Sequence, residues 1–414
     1  MPTITRLPRV TTAQSLALAS TLALPALAQG VIVRRPLGVR LAAVTGADDR
    51  AIRLLTRLRA EHGDGPLLVR LPRRGWAVLP LAARDVRAVL DDRAFTPANK
   101  EKRGALGHFE PDAVLITPEQ ELRDRRRALN EQVVRTGFEP FTRVVEEESA
   151  TLPRDGVLTW PRFHAAHWRI VRRIVLGDGA RDDVRLTRQL DRLRRDANWS
   201  YLVGRRTDVH NAFKRRLAGH LARAEPGSLA AVLARTHAAA DVHPEGQVPH
   251  WLFAYDAAAI AAWRALALLA AHPGPLDHAR LRAAVLESVR LWPTTLAILR
   301  DTTGPTAWDV PEGTVVVIYS PYVNRAEPGH GYRPELWREG GSGGSGGEGT
   351  WAGVPFSAGF ARCPGEDLVL FTATTLLGAL LRGRSVEASV SLADPLPATL
   401  DHFRLSFTIK AAER

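Results

Sequence analysis

The feature that most constrains this chain is a helical rhythm that returns along most of its 414 residues. Apolar residues recur at helical spacing through 51–59, 119–134, 162–176, 184–202, 249–272 and 276–291, each stretch with a polar face rich in Arg, Asp and Glu. Strand-like runs are few: 66–71 with 77–79, 314–318 after the turn Pro311-Glu312-Gly313, and 403–409. The expectation is a mainly α chain, one large helical domain with small β-sheets at its edge. A hydrophobic content of 45% is enough to bury such a core.

The N-terminus carries a separate signal. Arg6 and Arg9 precede an apolar run, 16–28, that ends in Ala26-Leu27-Ala28 and imitates a secretory signal with its small-residue cleavage site. The run is short for a bilayer span. It is expected to form a helix broken near Pro25 and followed by an extended stretch, 30–33, packing on the body or lying on a membrane surface. On this reading residues 1–35 form an N-terminal apolar segment and 36–414 the main domain. The location expected is cytoplasmic with peripheral membrane contact, and a secreted protein is the competing reading. Residues 340–349, a run of Gly and Ser with one Glu, read as a solvated linker; they lack the Lys and the flanking strand of a phosphate loop.

The net charge of +12 comes almost wholly from arginine, because the only lysines are Lys100, Lys102, Lys214 and Lys410. The arginines are scattered along amphipathic segments and no nucleic-acid module is present, so an acidic protein partner is expected and nucleic acid is not. No Gly-x-Ser-x-Gly, His-Glu-x-x-His or Walker-type loop appears, which removes the common hydrolase and nucleotide-binding chemistries. His164, His167, Trp160 and Trp168 sit close together, but their spacing fits one helix packed by aromatics better than a metal site.

A single cysteine, Cys363, excludes an internal disulfide framework and any multi-cysteine metal site. It lies in Pro355-Phe-Ser-Ala-Gly-Phe-Ala-Arg-Cys-Pro-Gly-Glu366, a glycine-flexed loop that runs into a long apolar helix. A thiolate just before a helix is favoured by backbone N–H groups and by the positive end of the helix dipole. Gly359 and Gly365 allow close approach to something flat. Phe356, Gly359, Cys363 and Gly365 stand as they do in the heme-binding loop of the cytochrome P450 superfamily, which this loop resembles.

The resemblance implies a P450 fold holding one heme b (iron protoporphyrin IX), with Cys363 as the axial ligand of the iron. The family's usual basic residue two places before the cysteine is Ala361 here, and Arg362, one place later, is the implied propionate contact. Glu287-Ser-Val-Arg290 resembles the family's structural Glu-x-x-Arg pair. The third partner of that pair is altered in Pro334-Glu335-Leu336-Trp337, leaving Arg333 or Arg338 as substitutes. Arg300, on the strand after this helix, and Arg126, in the segment 118–130, are the further implied propionate anchors.

Residues 249–260 resemble the helix that crosses the distal face of the heme, with Ala254 at the small position beside oxygen, Asp256 at the acid position and Ala257 where most members carry threonine. The implied activity is monooxygenation of an apolar small molecule with O2 and electrons from a ferredoxin or other acidic redox partner, since the chain has no flavin or iron–sulfur segment of its own. Ala257 keeps three alternatives open: peroxide use, a rearrangement, or a heme-binding protein that oxygenates nothing.

Overall fold

The computed structural model describes residues 7–71, 75–337 and 351–411. The linker-like stretch 340–349 and Arg338 lie outside the described residues. In chain order the first helices are α1 (Thr12–Leu18), α2 (Leu24–Gln29), α3 (Pro36–Thr45), α4 (Ala47–His62), α5 (Ala83–Asp91) and α6 (Lys100–Leu106). The next are α7 (Gln120–Val134), α8 (Glu139–Ser149), α9 (Trp160–Leu176), α10 (Val184–Ala197), α11 (Thr207–Arg223) and α12 (Leu229–Arg235). The last are α13 (Val248–Ala271), α14 (His278–Leu291), α15 (Ser320–Val323) and α16 (Glu366–Leu381). The strands are β1 (Leu67–Leu71), β2 (Gly75–Leu79), β3 (Phe95–Thr96), β4 (Gly156–Thr159), β5 (Ala297–Thr302), β6 (Val315–Tyr319), β7 (Arg384–Ala388) and β8 (Ser406–Ala411).

The chain divides into two compact units. The first comprises Met1–Arg103, Val289–Cys363 and Ala393–Asp401; the second comprises Gly104–Ser288, Pro364–Leu392 and His402–Arg414. The first is built on a five-stranded sheet of order β1-β2-β6-β5-β3, in which only the β2/β6 pair is parallel. Its core joins Ile52 and Leu55 of α4, Val86 of α5, Leu68, Val78, Val316 and Ile318 of the sheet, and Trp351 and Val354. Strand β5 alternates: Ile298, Arg300 and Thr302 are buried while Ala297, Leu299 and Asp301 are half-buried. That period of two places a charged guanidinium on the inner face.

The second unit is helical, with a small sheet of order β4-β8-β7. Its axis is α13, almost wholly buried, with Trp263 packed against Phe163 of α9 and edge-on to Phe407 of β8. Nearby, Phe371 of α16 meets Phe138 just ahead of α8. The stretch that contains α13 is the one helical segment among the described residues long and apolar enough to cross a membrane, and most of it is buried.

The mainly α expectation holds, and several local expectations change. The helix is not broken at Pro25: α1 passes through a π-helical turn, Ala19–Ala23, into α2, and the Leu24 N–H donates to Ala19 O. Proline lacks an N–H, and the wider turn just before it absorbs the lost step of the ladder. Residues 31–33 form bends rather than an extended strand. The helix expected to reach residue 202 ends at Ala197, and the last strand begins at Ser406 rather than 403. Strands β4 and β7 gave no sequence signal because both are short and largely exposed.

Candidate functional site

Within the first unit the cysteine loop is held by its own backbone. The Cys363 N–H donates to Phe356 O at 2.9 Å, the Arg362 N–H donates to Gly359 O at 3.1 Å, and the Ser357 N–H donates to Val354 O at 3.2 Å. Ser357 has φ of 62°, a left-handed conformation that costs a non-glycine residue energy and marks a tightly determined loop. Gly359 also has φ of 62°, and a β-carbon there would lie 2.1 Å from Leu90 O, so the loop abuts α5 at a point where only glycine fits. Gly365 shows neither crowding nor a positive φ, so nothing in its own surroundings demands glycine. The Cys363 thiol and the Phe356 side chain are half-buried, as is Arg362.

Arg300 lies buried on β5, its Nη2 3.4 Å from Ser357 Oγ and its Nη1 donating to Leu299 O at 3.1 Å. Beside it stands a residue that sequence reasoning missed. Asp301 accepts from Asn99 Nδ2 at 2.6 Å and from the Lys100 N–H at 3.0 Å, while Asn99 Oδ1 accepts from the Glu101 and Lys102 N–H groups, so β5 anchors the first turn of α6. Lys102, half-buried, lies on that first turn. Burial, reinforced by the Arg300 charge, holds the Lys102 ammonium well below its usual range despite the opposing pull of Asp301.

Arg290 is fully buried on α14 and donates to the carbonyls of Asn324 (3.1 Å), Gly329 (2.9 Å) and Gly331 (2.7 Å). Glu287, the other member of the pair, is fully buried on the same helix. Of the two substitutes for the altered third partner, Arg333 is half-exposed and pairs with Glu335. The buried Arg325 instead gathers Leu291 O, Leu396 O and Pro397 O.

In the second unit, the partly accessible positions of α13 are His250, Phe253, Ala254, Asp256 and Ala257 before the helix sinks fully into the core. His250, Phe253, Ala254 and Ala257 follow the i, i+3, i+4, i+7 rule and share one face. Asp256 is engaged elsewhere: its Oδ1 lies 2.9 Å from His164 Nε2 of α9 and its Oδ2 accepts from Arg194 Nη2 of α10 at 2.8 Å. Burial alone would raise this carboxyl, but Arg194 and His164 more than offset it and hold the group well below the carboxylate range. Arg194 also lies over the Phe253 ring. His167, one turn along α9 from His164, sits 2.8 Å from Tyr255 O, and burial lowers its pKa to about 4, so it is neutral at physiological pH. Among the described residues no cluster fit to hold a metal ion is present.

Arg126, expected to contact a propionate, is committed within its own unit. It donates to Val242 O at 3.1 Å and Thr117 Oγ1 at 2.8 Å and reaches Asp112 Oδ1 at 3.5 Å. It belongs to the polar network in which Gln247 and Asn130 tie the first turn of α13 to α7. Glu110 was also unforeseen. It is fully buried, accepts one bond at 2.9 Å from His250 Nδ1, and leaves Oε1 with no donor.

No protein-family model matches the sequence, and no curated protein matches it. Solved structures do. The retinoic acid-bound cyanobacterial CYP120A1 aligns with a TM-score of 0.67 over 86% of this chain and 93% of its own, at 13% identity. CYP175A1 from one strain of Thermus thermophilus aligns at 0.63 over 83% and 90%, at 19% identity. A six-coordinated cytochrome P450 from another strain of Thermus thermophilus aligns at 0.63 over 87% and 98%, at 20% identity.

Proposed function

From the premise that this chain has the cytochrome P450 fold, we propose that it is a heme-thiolate oxidoreductase, a monooxygenase acting on a largely apolar small molecule. The observation that carries the proposal is the pairing, within one unit, of a braced loop bearing the only thiol of the chain with a buried arginine whose Nη2 lies 3.4 Å from Ser357 Oγ of that loop. That donor set fits heme b. Cys363 is the iron ligand, and Arg300 with Lys102 offers charge-assisted hydrogen bonds to the two propionates. Arg362, half-buried beside the cysteine, is a further candidate contact. When bound, a thiolate-ligated heme supplies activation of dioxygen at the expense of two electrons. With no flavin or iron–sulfur segment in the chain, those electrons are delivered by a separate acidic carrier attracted to its net charge of +12.

Within the second unit, α13 carries the positions that the resemblance assigns to oxygen chemistry. Ala254 and Ala257 leave room there and offer no hydroxyl, and Asp256, while paired to Arg194 and His164, neither holds nor releases a proton near neutral pH. Proton delivery therefore falls to ordered water or to a hydroxyl of the substrate. The unpaired Glu110 Oε1, beside His250 on that face, favours a substrate with one hydrogen-bond donor on an otherwise apolar body. The same features favour a second reading, in which the chain uses peroxide, performs a rearrangement, or binds heme without oxygenating. Ala257→Thr separates the two. It improves the coupling of oxygen use to product in a monooxygenase limited by proton supply, and changes nothing in a protein that does not use oxygen.

Reconstitution tests the proposal. The chain takes up one equivalent of heme b, and Arg300→Gln or Lys102→Met speeds transfer of that heme to apomyoglobin by about ten-fold, the cost of one charge-assisted hydrogen bond. With heme dimethyl ester, which has no carboxylates, both differences vanish. A chain that takes up no heme refutes the reading.

A further inference from the structure

The first acidic residue of the chain is Asp48, and the residues before it include Arg6, Arg9, Arg34, Arg35 and Arg40. Within this acid-free stretch Leu16, Leu24, Leu27, Val31, Leu37, Leu41 and Val44 are all exposed. On α3 the exposed side chains form one stripe: Leu37, Leu41 and Val44, spaced i, i+4, i+7, are 74%, 62% and 78% exposed, whereas Gly38, Val39 and Ala42 face inward. Gly38 makes this arrangement possible, because a β-carbon there would lie 2.0 Å from Ala28 O; α3 therefore lies flush on the end of α2 with its leucines outward.

Arginine dominates the exposed charges of α3 and α4. Arg40 is exposed on α3, and Arg50, Arg53 and Arg57 are exposed along α4, which follows through the turn at Gly46. Asp48 is turned inward, accepting from Gln29 Nε2, Tyr319 Oη and Thr399 Oγ1. Asp49 is half-buried, and the exposed Glu61, at the far end of α4, accepts from Gln14 Nε2.

We propose that α2, α3 and the exposed arginines of α3 and α4 form a docking face for an anionic lipid bilayer, with the leucines entering the headgroup–acyl boundary and the arginines engaging lipid phosphates. Charge complementarity selects this occupant: an apolar stripe on a surface rich in exposed arginine, with Asp48 turned inward and Asp49 half-buried, suits an anionic interface and would repel an identical copy of itself. The contact is peripheral, because the one described helical stretch long and apolar enough to span a bilayer is mostly buried. This inference does not depend on the heme.

The full chain is sedimented with vesicles of phosphatidylcholine alone and of phosphatidylcholine with phosphatidylglycerol, beside Leu37→Ser/Leu41→Ser/Val44→Ser and Arg40→Gln/Arg53→Gln/Arg57→Gln. Wild type is expected to pellet with the phosphatidylglycerol vesicles only, and each triple variant to lose about ten-fold or more of that binding. Far-UV circular dichroism checks folding. Should the serine variant fail to fold, the glutamine variant, altered only at exposed arginines, carries the test. Absence of pelleting, equal binding to neutral vesicles, or binding unchanged in the folded variants overturns the proposal. So does a dimer that the serine variant dissociates, since a second copy then covers the stripe.

Discussion

Two groups of charged side chains, one in each unit, are engaged in different ways. In the second unit each cluster is matched: Glu148, itself buried, accepts from Arg169, Arg173 and Arg181, and Asp256 accepts from Arg194 with His164 beside it. In the first, Lys102 is set beside Arg300, and the nearest carboxylate, Asp301, is occupied with Asn99 and the start of α6. The matched clusters hold helices together and need nothing further. Cation beside cation is a poor way to stabilise a fold and a good way to receive carboxylates.

Substitutions sharpen the contrast, beginning with the largest effect. Glu148→Gln leaves three arginines around a neutral amide and is expected to cost about 3–5 kcal/mol of folding stability in urea denaturation. Asp256→Asn strands Arg194, whose side chain is almost fully buried, and should cost somewhat less, about 3 kcal/mol, because one guanidinium rather than three loses its carboxylate. Lys102→Met behaves oppositely: removing a charge held beside another leaves the apoprotein as stable as wild type or more stable by about 1 kcal/mol, while heme is lost faster. A destabilisation as large as that of Asp256→Asn would break the comparison and make Lys102 a structural residue.

The last effect is a pH dependence. His167 titrates near 6.5 when unfolded and at about 4 when buried. Between those values the unfolded chain binds a proton that the native chain refuses, so stability falls as pH drops from 6.5 to 4, by up to about 3 kcal/mol, and this contribution levels off below 4. His167→Gln, which keeps a donor for Tyr255 O, should flatten that window in denaturation curves taken across it. An unchanged slope would assign the acid sensitivity to other groups.

What was legible in the sequence follows the range of each interaction. The cysteine loop could be read because its backbone bonds join residues only a few positions apart, from Val354 to Cys363. The inward position of Arg300 follows from the alternation of β5. Lys102 could not be read, since α6 has seven residues and is placed by Asp301, 202 positions from Asn99. The partners of Asp256 lie 62 and 92 positions away, and neither motif nor periodicity connects them. Arg126 was expected to turn to a propionate because it lies on a basic segment resembling the right helix, yet its destination is set by the carbonyl of Val242, 116 positions on. The helix through Pro25 escaped for a local reason: a π turn leaves no mark in the sequence Ala19-Ser-Thr-Leu-Ala23.

The most direct test of the central claim is the absorption spectrum of the heme-loaded, reduced chain under carbon monoxide, taken for wild type and for Cys363→Ser. The account predicts the strongly red-shifted Soret band of a thiolate-ligated heme in wild type and its loss in the variant. A wild-type band at the position of a histidine-ligated heme, or one unchanged by the substitution, would contradict it and return Cys363 to an ordinary loop residue.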